Sequence, residues 1–253
     1  MTRFHLVQSD LVWEHIDANL EHLEHQISSI RSGAIILPEM FSTGFSMASA
    51  KLAESMTGKA VTWLTKQATQ KQVYICGSII IEEDSRYFNR FVWVSPDGAL
   101  TTYDKRHLFR MAGEHHYYAA GTDQVQLSIN DMQLRPQVCY DLRFPGWNRN
   151  TTGYDVLVYV ANWPAARRQH WMTLLQARAI ENLSYVIAVN RVGKDGNDIE
   201  YVGDSCVIDP WGNYLLKMDA EERIGTVDLD LVSLRAYRES FPAHLDADTL
   251  DIK

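Results

Sequence analysis

A wholly apolar run, an amphipathic segment, a second apolar run and then a hairpin follow one another in both halves of this chain. In the first half, "AIILPEMF" is a continuous apolar stretch ending at Pro38 and Glu39, the pattern of a strand buried on both faces that opens into a loop. "KAVTWLTKQATQKQ" then carries Val61, Leu64 and Ala68 at helical spacing, and "VYICGSIII" is a further buried strand. "NRFVWVSPDGALTTYDKRH" predicts a hairpin, because Pro96 presets φ and Gly98 accepts positive φ between β-rich flanks. The second half runs through "DVLVYVANW", then "HWMTLLQARAIEN" with Trp171, Leu174, Leu175 and Ala179 on one side, then "SYVIAVNRV". It ends in a hairpin that turns at Asp209, Pro210, Trp211 and Gly212. Ahead of all this, Leu20, Leu23, Ile27 and Ile30 recur at three- and four-residue steps and predict an early helix.

Strands buried on both faces need cover on both faces. Two such units therefore predict two mixed sheets related by a pseudo-twofold, each carrying helices outside and packing its inner face on the other. The fold class is α/β, a four-layer αββα sandwich; the rival is one doubly wound sheet in which the repeated order is chance. No Gly/Ser/Pro-rich or charged linker divides the 253 residues, so one domain is expected over 1–253. From about residue 236, "AYRESFPAHLDADTLDIK" is polar and interrupted by proline, and is expected to be a tail that docks on a surface or a partner subunit.

A net charge of -8 argues against nucleic acid as a partner, since phosphate binding needs a basic face. A small-molecule substrate fits better. No signal-peptide core follows the N-terminus and no run of about 18 apolar residues occurs, so no membrane partner and a cytoplasmic protein are expected. Three cysteines without CxxC spacing make neither a disulfide framework nor a zinc site, and no HExxH or HxH pattern occurs among the 9 histidines. No metal is expected. Nor is a cofactor, because no Gly-rich phosphate loop appears.

Cys76 and Cys206 lie inside strand patterns, where a free cysteine behaves as a small hydrophobe. Cys139 differs: in "LRPQVCYDLRFPGW" its strand ends at the thiol and a polar, aromatic turn begins, the place where a strand mouth presents side chains to a cleft. Position alone leaves it either core or nucleophile, and the choice rests on a base and a cation that favour the thiolate. Glu39 in "IILPEMFSTGF" and Lys105 in "YDKRHLF" are charges set among apolar residues near strand ends, which suits groups drawn into a cleft. A Cys-His dyad with a histidine distant in sequence stays open.

At these residues the sequence resembles the nitrilase superfamily of carbon–nitrogen hydrolases, and within it the bacterial ω-amidases acting on 2-oxo acid amides. The likeness rests on "ILPEMFSTGF", "YDKRHLF", "VCYDLRFP", "ANWPAARRQHWMTLLQARAIEN" and "GDSCVIDPWG", in that order over nearly the whole chain. It implies Glu39, Lys105 and Cys139 as a catalytic triad and Glu114, in "AGEHHYYAAG", as a further catalytic-site glutamate. It implies a homodimer and an enzyme that cleaves the ω-amide of 2-oxoglutaramate or 2-oxosuccinamate through a cysteine thioester, the oxyanion held by Lys105 and the N–H of Tyr140. The substrate carboxylate then needs a cation. Arg167 is the preferred one, with Arg168 beside it; Arg143 is more readily read as bridging a structural acid such as Asp141 or Asp155. Trp163 and Phe41 are candidate apolar walls. Other amides, nitriles or carbamoyl compounds as substrate, a Cys-His hydrolase or transferase, and a silent binding protein are the alternatives.

Overall fold

The computed structural model describes residues 1–248. Fourteen strands run in chain order: β1 (Thr2–Gln8), β2 (Ala34–Ile36), β3 (Tyr74–Glu83), β4 (Arg86–Val94), β5 (Leu100–Asp104), β6 (Leu127–Ile129), β7 (Met132–Val138), β8 (Val156–Ala161), β9 (Tyr185–Asn190), β10 (Val192–Lys194), β11 (Glu200–Val202), β12 (Cys206–Ile208), β13 (Tyr214–Lys217) and β14 (Arg223–Leu229). The helices are α1 (Ile16–Gln26), α2 (Ser49–Leu52), α3 (Lys59–Lys71), α4 (Pro145–Asn148), α5 (Arg168–Asn182) and α6 (Leu231–Ser240).

One six-stranded sheet has the order β14-β1-β2-β3-β4-β5 and the other, read from its opposite edge, β6-β7-β8-β9-β12-β13. The two match strand for strand. β1, β2 and β3 pair in parallel as β7, β8 and β9 do, and the remaining neighbours in both sheets are antiparallel. Three buried clusters define the layers. Phe4, Leu6, Ile36 and Trp93 meet Val138, Val158, Ile187 and Val207 between the sheets. Outside the first sheet, Val7, Ile35 and Ile75 pack on Leu23 of α1 and Leu64 of α3. Outside the second, Leu157, Tyr159 and Val186 pack on Trp171, Leu175 and Ala179 of α5. This is the αββα sandwich. Each fully buried Leu, Ile, Val or Phe contributes about 1.5–3 kcal/mol relative to exposure, which is why strands apolar on both faces require the outer helices.

Two details of the second sheet and the C-terminal segment bear on the site's surroundings. β7 keeps unbroken register with β8 through Pro136, which faces Val158, because β6 has already ended and the missing N–H falls where the sheet has an edge. The tail expected from about residue 236 starts inside a helix instead. α6 is capped by Asp230, buries Leu234, and anchors through Arg238, which bonds Asp155 Oδ1 at 3.0 Å and the Tyr154 carbonyl at 2.7 Å. Only the last five positions of that segment, 249–253, lie outside the described residues. No described helix is long and apolar enough to cross a membrane.

Candidate active site

Three strand ends converge at one end of the sandwich. Past β2 the chain runs through Leu37 and Pro38 to Glu39, and Met40 then takes a left-handed φ of 44°, held by its N–H donating to Ser78 Oγ at 2.9 Å. Lys105 follows β5 directly. Cys139 follows β7 and itself adopts φ 44°, a conformation that costs a non-glycine residue about 1–3 kcal/mol and persists only where its surroundings enforce it. The enforcing group is Asp141. Its carboxylate, fully buried, accepts from the Val138 N–H at 3.0 Å, the Tyr103 hydroxyl at 2.8 Å, the His107 N–H at 2.9 Å and His107 Nδ1 at 2.8 Å. Since Tyr103 and His107 flank Lys105, one carboxylate ties the lysine segment to the cysteine turn.

Glu39 is buried and held by three donors. Oε1 accepts from Lys105 Nζ at 2.9 Å and Asn89 Nδ2 at 2.7 Å, and Oε2 from the Asn162 N–H at 2.8 Å. Asn162 also donates Nδ2 to the Glu39 carbonyl at 2.6 Å. Lys105 donates to both oxygens of Glu114, at 2.9 and 3.0 Å, and Glu114 accepts the Phe109 N–H as well. Burial alone pushes the Lys105 ammonium down, but Glu114 and Glu39 outweigh it and hold its pKa above the ordinary lysine value. Burial, opposed by Lys105 and reinforced by Glu39, raises the carboxyl of Glu114.

The Cys139 thiol lies 3.9 Å from the Asn162 carbonyl and close enough to Glu39 to feel its charge. Desolvation and the neighbouring Glu39 carboxylate push its pKa well up, more than Lys105 draws it down. The resting group is a thiol, and it needs a base to become a nucleophile. Cys76, between the two sheets, and Cys206, between the second sheet and α5, are fully buried, with burial raising both thiols.

Cys139 and Lys105 open into a cavity of about 520 Å³, which Tyr140, Arg143, Trp163 and Arg167 also line. The arginines differ from expectation. Asp141 is engaged by Tyr103 and His107 and Asp155 by Arg238, so Arg143 bridges neither. It lies over the rings of Trp163 at 4.8 Å and Tyr140 at 5.8 Å, with Nη2 3.1 Å from His170 Nδ1. Arg168 is the one committed to an acid, Asp204. Arg167 lies over Phe109 at 5.1 Å. Among the described residues, neither Arg143 nor Arg167 pairs with a carboxylate.

Phe41 is not a cavity wall. It is fully buried against Trp63 of α3, ring centroids 6.0 Å apart, because two residues beyond Glu39 the chain has turned behind the sheet; Phe45 lines the cavity instead. No histidine is among the described residues lining the cavity, which removes the geometric basis for a Cys-His dyad. Sequence reasoning missed Asn89 and Asn162. Asn162 ends β8 as Cys139 ends β7, so the strand-mouth argument could have found it; Asn89 sits within a hairpin strand and carried no signal.

The fold is that of a hydrolase family: the carbon-nitrogen hydrolase family model matches residues 6–239, and the chain belongs to that family. Among its relatives, the omega-amidase YafV of Escherichia coli (strain K12) is 48% identical over 248 residues, covering 96% of this chain and 95% of that protein. The 2-oxoglutaramate amidase of Bacillus subtilis (strain 168) is 35% identical over 247 residues, covering 95% of each. A crystal structure of a CN-hydrolase superfamily protein from Xanthomonas campestris, with an arsenic adduct in its active site, superposes with a TM-score of 0.97 at 41% identity, covering 100% of this chain and 99% of that one.

Proposed function

We propose that this protein is an ω-amidase that hydrolyses the terminal amide of short 2-oxo dicarboxylic acids, 2-oxoglutaramate and 2-oxosuccinamate, to acid and ammonia. The observation that carries this reading is a buried Glu39–Lys105–Glu114 cluster set against Cys139, at the base of a cavity whose two arginines lack an acid partner. Relatives named for these activities support the same substrates.

Glu39 takes the thiol proton, and sulfur attacks the amide carbon to give a tetrahedral oxyanion. Lys105 and the N–H of Tyr140, at the N-terminal end of the turn, receive that oxygen; fixed donors in a dry cleft stabilise it better than water does. Collapse breaks the carbon–nitrogen bond, Glu39 protonates the departing nitrogen, and a thioester remains. Water, deprotonated by Glu39, then attacks the thioester, releasing the acid and restoring the thiol. Glu114 holds Lys105 in place throughout. The unpaired arginines take the substrate carboxylate, Arg143 foremost, since two aromatic rings and His170 fix its guanidinium.

Ammonia release from 2-oxoglutaramate, 2-oxosuccinamate, glutamine, a neutral aliphatic amide and a nitrile tests the reading. The 2-oxo acid amides are expected to show the highest kcat/KM, and faster turnover of the neutral amide or nitrile overturns it. We also infer a homodimer, and a cytoplasmic setting in which the three free thiols remain reduced.

A further inference from the structure

The cavity is larger than its proposed substrates, and its excess space has a particular chemistry. At about 30 Å³ per water-sized group, the roughly ten non-hydrogen atoms of 2-oxoglutaramate fill at most about 300 Å³. The cavity holds about 520 Å³. Its walls include Trp13, Met47, Phe109 and Tyr201, with Ile199 on the β10–β11 hairpin 41% exposed. Trp13, Met47 and Phe109 are half-buried. The Tyr201 hydroxyl is spent on Asp195 at 2.9 Å, so the ring turned to the cavity offers apolar surface. Trp13 is fixed in place, for Gly196 approaches it so closely that a Cβ there would lie 2.3 Å from the indole. A carboxylate and an amide leave such a surface wet.

The two ends of the site are unequal. Glu39, which protonates the leaving nitrogen, and Glu114 are fully buried and do not line the cavity, whereas Cys139 and Lys105 do. The nitrogen therefore leaves toward the buried carboxylates, where a substituent on it would crowd against them, while the acyl chain extends outward among the arginines and the apolar wall.

We propose that the enzyme also hydrolyses primary amides whose acyl chain carries an apolar, aryl-sized substituent besides its carboxylate, with Trp13, Met47, Phe109, Ile199 and Tyr201 covering that substituent. The inference rests on the ω-amidase reading and extends its substrate class. The chemistry at the amide is unchanged; the substituent adds binding through apolar surface removed from water.

Ammonia release from succinamate, from succinamate bearing a benzyl group on the carbon next to its carboxylate, and from N-methylsuccinamate (followed as methylamine) tests it, with 2-oxoglutaramate as reference. Burying a phenyl-sized group is expected to raise kcat/KM for the benzyl compound at least about tenfold over succinamate. The N-methyl amide is expected to fall at least about a hundredfold. In Ile199→Asp, on the exposed hairpin, and in Trp13→Ala, the benzyl-to-parent ratio is expected to drop toward one, a comparison internal to each variant. A benzyl compound no better than succinamate in the wild type, or a ratio unmoved in both variants, overturns the proposal. With 2-oxoglutaramate still preferred over neutral amides, that result leaves the ω-amidase reading standing; loss of that preference is the separate failure of the reading itself.

Discussion

Lys105 and Glu114 form an ion pair in which both side chains are 0% exposed, Nζ lying 2.9 Å from one carboxylate oxygen and 3.0 Å from the other. The same ammonium reaches Glu39 Oε1 at 2.9 Å, so one cation serves two buried carboxylates. A single Lys–Glu pair would neutralise itself. One of the two acids can fix the cation while the other is placed to accept the thiol proton.

Lys105→Met is expected to lower kcat at least about a hundredfold, the effect of losing an oxyanion donor. Glu114→Gln keeps the shape but frees Lys105 to settle on Glu39 alone; kcat is expected to fall more than about tenfold with KM little changed. Single-turnover acylation distinguishes the two residues, and a near-normal acylation rate in Lys105→Met removes it from the mechanism.

The raised pKa of the Cys139 thiol has a pH signature. A thiol is neutral below its pKa, so raising that pKa extends the neutral range upward and leaves little thiolate at pH 7. Labelling of Cys139 by iodoacetamide is therefore expected to keep rising through pH 9 without a plateau. Because the Glu39 carboxylate is one cause of the shift, Glu39→Gln lowers the thiol pKa. That variant is expected to label faster than wild type at pH 7.5 while losing both acylation and deacylation. Slower labelling in Glu39→Gln contradicts this electrostatic account. Cys139→Ala is expected to end turnover, whereas Cys76→Ala and Cys206→Ala mainly lower Tm, since those thiols are packing groups.

The parts of the fold legible in the sequence are those with local periodicity. The β2, β3, β8 and β9 runs are apolar on both faces, and Leu20, Leu23 and Leu64 mark helix faces that the outer clusters bury. The edges were less legible. β6 is three residues long, and β14 is a strand because Thr2–Gln8 pairs with it from the far end of the chain. At the site, Glu39, Lys105 and Cys139 stood at strand ends, but their convergence came from the family resemblance and not from spacing. Phe41 as a cavity wall, and Arg143 as a bridge to a structural acid, failed for one reason. An aromatic or an arginine next to a strand mouth reads alike whether it faces core, acid or cavity, and only the turns at Met40 and Cys139 decide.

Arg143 and Arg167 give a specific expectation about substrate recognition. Arg143→Gln is expected to raise KM for 2-oxoglutaramate at least about thirtyfold while leaving kcat/KM for a neutral amide within about threefold, as a lost charge-assisted contact of about 2 kcal/mol or more predicts. Arg167→Ala is expected to have a smaller effect, its guanidinium being held only over Phe109 and near Met111. If Arg167→Ala is the more damaging variant, the carboxylate binds at Arg167 and not at Arg143.

The proposed homodimer has a candidate surface. Ile180 of α5 and Trp211 of the β12–β13 turn are each 50% exposed, and Phe241, just past α6, is 53% exposed. Trp211 packs on Tyr237 in a tilted pair with ring centroids 4.2 Å apart, and Tyr237 meets Phe241 at 6.1 Å, so these side chains form a contiguous apolar surface and not scattered singles. A contiguous patch of that kind marks an interaction site, and a two-fold axis through it lets each copy cover the other's patch without leaving an open end for further growth. Light scattering at micromolar concentration is expected to give twice the 29.0 kDa chain mass. Trp211→Arg paired with Phe241→Asp is expected to give the single-chain mass, with far-UV circular dichroism retained because neither side chain is buried in the sandwich. A wild-type mass of 29.0 kDa contradicts the dimer, and a dimer that survives both substitutions places its axis elsewhere.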